Sequence, residues 1–188
     1  MEAVLIDNND SFTYNIVELV HNVSGQRLPV ISSEQLDIGE LENFDKFILS
    51  PGPGLPKDFP VLQKILDVYH TTKSMLGICL GHEAIAQFFG ADLVHLPSVV
   101  HGQPKKITVR SNTLLFKDIP EHFNAGLYHS WVIDRDNLPP ELLITAVSGE
   151  GNIMSFQHKD LRLFGIQFHP ESIITEYGRE LMKNFLNC

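Results

Sequence analysis

Apolar and polar positions follow two regimes along the chain. "AVLID" (3–7) is a short apolar run that stops at Asp and Asn. In "SFTYNIVELVHNV", which follows, Phe12, Ile16, Val17, Val20 and Val23 recur at helical spacing, so a strand, a turn and a helix are predicted. A further strand is expected around Leu28–Ile31, and another in "KFILS" (46–50), which ends at "PGPGLP". "VLQKILDVYH" then carries a helical apolar stripe. "SMLGI" (74–78) reads as a strand running into Cys79, followed by the helix-like "LGHEAIAQFFG", with Gly90 as its C-cap. Strands alternating with helices imply a parallel sheet covered on both faces.

Beyond about residue 100 the period changes. "VHGQPKKITVR", "NAGLYHSWVID", "LLITAVS", "NIMSFQH" and "LRLFGIQFH" are β-rich segments separated by turn residues. They predict antiparallel additions to the sheet before a closing helix at about 175–187. With no internal repeat, low-complexity tract or linker, the expectation is one α/β domain over residues 1–188. Its central sheet is mostly parallel and flanked by helices, with antiparallel additions in the C-terminal half.

Composition narrows the partners. The chain has 188 residues, enough for one well-buried core. A formal net charge of −9 argues against nucleic acid or an anionic membrane, both of which need a basic surface. The N-terminus lacks the form of a signal peptide, and no uncharged apolar stretch reaches the roughly 18 residues of a membrane helix. Two cysteines, Cys79 and Cys188, make no disulfide framework, which points to the reducing cytoplasm.

Candidate chemistry begins with "GICLG" (77–81). A strand that turns at once into a helix strains the backbone at its apex, and small residues on either side relieve the crowding, as in the G-x-S-x-G elbow. Cys79 occupies that apex, where a helix N-terminus would favour the thiolate. The competing reading is a small buried hydrophobe, and these five residues leave both open.

A nucleophilic thiol needs a base and a group to orient it. "FGIQFHPES" (164–172) offers His169 and Glu171, separated by a proline that restricts the backbone. A metal site built from these two with His82 and Glu83 lacks recognisable ligand spacing, so no metal is expected. In "SPGPG" (50–54) the prolines lack N–H groups, leaving Ser50, Gly52 and Gly54 as the only backbone donors. The N–H of Gly52 and that of Leu80, the residue after the cysteine, are the candidate oxyanion hole.

"SPGPG", "GICLGH" and "FHPES", in this order, resemble the class I (triad-type) glutamine amidotransferases. "IDNNDSFTYN" and "YHSWVI" narrow the resemblance to the glutaminase subunits, component II, of anthranilate synthase and aminodeoxychorismate synthase. The resemblance implies a flavodoxin-like amidotransferase fold in which Cys79 attacks the amide of L-glutamine, forms a glutamyl thioester and releases ammonia. It makes His169 the base and acid and Glu171 its partner, with Gly52 and Leu80 as the oxyanion hole. Gly52, Pro53, Gly54 and the backbone around Ser130 and Trp131 match positions that hold the substrate. No cofactor is implied in this subunit, and the ammonia passes to a separate chorismate-using synthase subunit, component I, in a heteromeric complex.

Three positions depart from the family pattern. Glu83 replaces the glutamine of "CLGHQ"; it is expected to pair with the substrate's α-ammonium, against the alternatives of a raised pKa or a turn toward Lys105 or Lys106. Trp131 stands in place of leucine, and Gln103 in place of the lysine of "HGK". Two other readings share these residues: a stand-alone thiol hydrolase of a γ-glutamyl or other small amide, and a non-catalytic regulatory subunit. The sequence leaves open whether the partner serves tryptophan synthesis, folate synthesis or both.

Overall fold

A computed structural model describes residues 2–111 and 113–188, with the backbone alone at Val100. Its first strands are β1 (Ala3–Asp7), β2 (Val30–Ser32), β3 (Lys46–Leu49) and β4 (Ser74–Ile78). Helix α1 (Thr13–Ser24) follows β1, α2 (Pro60–Tyr69) follows β3, and α3 (Leu80–Phe88) follows β4. The second half contains β5 (Leu93–Val109), β6 (His122–Ile133), β7 (Leu142–Ser148), β8 (Ile153–His158), β9 (Leu163–Ile166) and α4 (Gly178–Leu186).

The nine strands of the described residues join one sheet in the order β2-β1-β3-β4-β9-β8-β7-β5-β6. Pairing is parallel from β2 through β9 and antiparallel from β9 to β6. This is the α/β architecture the sequence pattern predicts, except that the "LRLFGIQFH" strand, expected among the antiparallel additions, pairs parallel with β4 on one side and antiparallel with β8 on the other. Its least local feature is β9, which inserts beside β4 although most of the second half lies between them in sequence, pairing Leu76 with Phe164 and Ile78 with Ile166.

The pleat explains why the central strands are apolar on both faces between their polar ends. Val4, Ile6, Phe47, Leu49 and Met75 point to the face covered by α2 and α3, while Leu5, Ile48, Leu76 and Ile78 point to the face with α1 and α4. Burying a side chain of this size contributes roughly 1.5–3 kcal/mol. In α3 every residue from Leu80 to Ala86 is buried, so its polar members, His82 and Glu83, lie inside the molecule.

Boundaries differ from the sequence expectation in two places. β5 begins at Leu93, well before the alternating segment, because register shifts between His95 and Val100 and between His101 and Gln103 break its period of two. α4 begins only at Gly178, after a turn-rich stretch that follows the His169–Glu171 segment. Gly90 lies one residue beyond the cap position, Phe89, with φ 98°.

Candidate active site

The carboxyl ends of β1, β3, β4 and β9 share one edge of the sheet, where α/β proteins place their ligand crevices. Segments Asn8–Phe12, Ser50–Gly54, Cys79–Leu80 and Gln167–Glu171 leave those ends directly. Cys79 occupies the N-cap of α3 with φ 50° and ψ −102°, a strained conformation for a residue with a Cβ. The turn is pinned on both sides: Cys79 N–H donates to the Ile166 carbonyl at 2.9 Å, and Glu83 N–H donates to the Cys79 carbonyl at 3.0 Å. The flanking glycines are required sterically. A Cβ on Gly77 would overlap the Gly81 carbonyl, and one on Gly81 would overlap Leu49 of β3.

The thiol does not behave as its helix position alone suggests. Burial pushes its pKa well up, and the carboxylates of Glu83, Asp10 and Glu171 push in the same direction. The N–H of Leu80 reaches the sulfur and favours the thiolate, but it is outweighed. At rest Cys79 is therefore a thiol, 7% exposed, and needs a base to remove its proton.

His169 and Glu171 form a buried pair, with Nδ1–H donating to Glu171 Oε1 at 2.6 Å and side chains 2% and 0% exposed. With Nδ1 committed, Nε2 is the lone-pair nitrogen, and it has no hydrogen-bond partner. Phe12 and Tyr128 pack edge-on against the imidazole, with centroids 5.5 and 4.9 Å away. Cys79 and His169 are not hydrogen-bonded to each other, although Glu171 acts electrostatically on both the thiol and Asp10.

The Ser50–Gly54 loop is clamped by Asn8. Asn8 N–H donates to Ser50 Oγ at 2.8 Å and its side-chain amide to the Ser50 carbonyl at 3.0 Å. Gly52 lies against Asn8 and Leu80: a Cβ there would stand 2.6 Å from Leu80 Cδ2 and 2.8 Å from the Asn8 carbonyl oxygen. The two expected oxyanion donors are thus on touching segments. Pro53 and Gly54 are exposed beside them, and Gly54 takes φ 78°.

Ser130 and Trp131 lie half-buried on β6. The Trp131 carbonyl accepts from His129 Nδ1 at 2.8 Å, and the indole meets His95 edge-on at 4.9 Å. Glu83 is enclosed next to Gln167. It is 3% exposed, accepts from Gln167 Nε2 at 3.0 Å, and burial raises its pKa from 4.5 to about 7. Lys105 pairs with Glu150 at 2.8 Å instead. Desolvation outweighs the hydrogen bond from Gln167, which by itself would lower the pKa. His82 turns behind the site against Phe156 and is held neutral, its pKa lowered by burial to about 3.

Gln167, Asn8, Asp10 and Tyr128 shape the site without having been singled out from the sequence. Only Gln167 left a signal, as a polar residue interrupting the apolar "FGIQF". Among the described residues no three His, Cys, Asp or Glu side chains gather to hold a metal ion, and no helix is long and apolar enough to cross a membrane.

A family profile, glutamine amidotransferase class-I, matches residues 4–188. The chain belongs to the class-I glutamine amidotransferases. A Haemophilus influenzae protein provisionally named anthranilate synthase component II is 41% identical over 99% of this chain and 96% of its own length. The aminodeoxychorismate/anthranilate synthase component 2 of Bacillus subtilis is 36% identical over 97% of this chain and 94% of its own. A Thermoplasma acidophilum crystal structure, 25% identical, covers 100% of this chain and 92% of that one with a TM-score of 0.88. This amidotransferase therefore shares its fold and full length with proteins of one enzymatic class.

Proposed function

We propose that this amidotransferase is the component II subunit of a chorismate-using synthase, hydrolysing L-glutamine and passing the ammonia to component I. The observation that carries the chemistry is the buried His169–Glu171 pair, whose Nε2 has no other partner, on a segment that leaves the same sheet edge as Cys79. Glutamine lies along Gly52–Gly54 and the Ser130–Trp131 backbone, placing its amide carbon at the sulfur. His169 Nε2 takes the thiol proton as sulfur attacks, and the amide oxygen becomes an oxyanion held by the N–H groups of Gly52 and Leu80. The same proton passes to the leaving nitrogen, so ammonia departs and a γ-glutamyl thioester remains. Water, activated by His169, then releases glutamate and restores the thiol.

A thiol that is protonated at rest suits this sequence, because charge forms only when substrate and oxyanion donors are in place. Amide hydrolysis by thiol, imidazole and carboxylate is complete without a cofactor. The partner assignment rests on relatives whose names cover both anthranilate and aminodeoxychorismate synthases. It is tested by mixing the protein with each purified synthase subunit and chorismate, and following glutamine-dependent product. Product with one subunit identifies the pathway. Glutamine turnover that is complete alone and unchanged by either subunit would instead support a stand-alone hydrolase.

A further inference from the structure

Gln167 is fully buried in the crevice wall and takes no part in the steps above. Its side-chain nitrogen stands 3.0 Å from Glu83 Oε1 and 3.7 Å from Cys79 Sγ, while its oxygen has no partner. One amide –NH₂ therefore serves a carboxyl and the sulfur at once. Gln167 is the only hydrogen-bond partner of the Glu83 side chain among the described residues.

We propose that Gln167 is a positioning residue coupling Glu83 to Cys79, so that the proton on the Glu83 carboxyl governs how readily the thiol ionises. This rests on the reading of Cys79 as the nucleophile. With Glu83 protonated, the amide stands between two neutral groups and its N–H supports a thiolate. With Glu83 ionised, the amide is drawn to the carboxylate, and a second negative charge on sulfur is disfavoured in a desolvated site.

The other charged groups acting on the thiol are Asp10 from the β1–α1 turn and Glu171 after β9; Glu171 pairs with His169, which lies near His129 of β6, and His82 of α3 faces Phe156. Burial places the Glu83 transition at about 7, so the coupling acts near neutral pH as a brake on the alkaline side. A glutamine at this position carries no such brake.

The test is the pH dependence of Cys79 alkylation by iodoacetamide on the whole protein, read on the Cys79 peptide by mass spectrometry so that Cys188 is counted separately. Glu83→Gln should lower the alkylation midpoint by about one pH unit, about tenfold in rate below the midpoint. In a Gln167→Met background the difference between Glu and Gln at position 83 should shrink to under about threefold. If Gln167→Met does not fold, Gln167→Asn, which withdraws the amide by one methylene, should show the same shrinkage. An unmoved midpoint in Glu83→Gln overturns the proposal, as does a full shift that persists without the Gln167 amide. The readout needs no glutamine turnover, so loss of the glutaminase reading would be seen separately.

Discussion

At the scale of single residues, two cysteines are distinguished by what surrounds them. Cys79 is held at φ 50° at the start of α3, where the Leu80 N–H reaches its sulfur, whereas Cys188 packs near α4 with its thiol against the Asn184 carbonyl. A glutamine-like electrophile such as diazo-oxonorleucine should label Cys79 and spare Cys188. Cys79→Ser should reduce glutaminase activity by roughly three orders of magnitude or more, as removal of a nucleophile does. His169→Ala should cost a similar amount. Glu171→Ala should retain roughly one to two orders of magnitude more, because the carboxylate orients the imidazole but exchanges no proton with substrate. Equal activities of the two alanine variants would show that Glu171 does more than orient.

Glu83 also ties the site to stability. Its folded pKa of about 7 exceeds the ordinary 4.5, so the folded state holds more protons than the unfolded chain between those values. Stability should then be full below pH 4.5 and fall as pH rises toward 7, by up to about 3 kcal/mol from this group. His82, lowered from 6.5 to about 3, acts oppositely and loses stability as pH falls through that window. Urea unfolding between pH 5 and 8 should show Glu83→Gln gaining on the parent as pH rises. Parallel pH profiles would show that the carboxyl is ionised in the fold at no cost.

At the scale of elements, the junction of β4 and α3 decides whether the site exists. The strand must turn into the helix within one residue while α3 lies against β3, and Gly77 and Gly81 are the contact points. Gly77→Ala and Gly81→Ala should each destabilise the protein by roughly 3 kcal/mol, since the overlapping atoms are backbone or a packed neighbour. A drop in urea midpoint accompanied by loss of Cys79 labelling is the expected pair of results. An unchanged midpoint would mean that the elbow can open without disturbing β3. The β-rich half acts on the site through β9, which carries Gln167, His169 and Glu171 out from beside β4.

At the scale of the whole molecule, glutamine chemistry and ammonia use are expected to separate. In the proposed scheme the reacting groups, Cys79, His169 and Glu171, all belong to this chain, while chorismate is bound by component I. Product formation with component I should therefore persist in Cys79→Ser and His169→Ala when ammonium salt replaces glutamine. If either variant also abolishes the ammonia-dependent reaction, its effect lies in folding or docking. Glutaminase activity of the isolated chain should be weak and rise with the synthase subunit, since Cys79 and His169 are not hydrogen-bonded at rest and closure of that gap is the step a partner can favour.

The sequence by itself determined strands β1 to β4 and their helices, because each buries its own apolar period, and it marked "GICLG", "SPGPG" and "FHPES" because the glycines and prolines restrict local backbone. It also contained the one dissonant residue, Glu83. Only the tertiary structure decided that β9 lies beside β4, bringing His169 and Glu171 to Cys79, since strand pairing between distant segments leaves no local pattern. It likewise decided the protonation of the site. A helix start favours a thiolate through near neighbours, but burial and three carboxylates converging from α3 and two separate turns oppose it, and those are sums over the folded surroundings. The link from Gln167 to both Glu83 and the sulfur has the same origin: two distances set by packing α3 against β9.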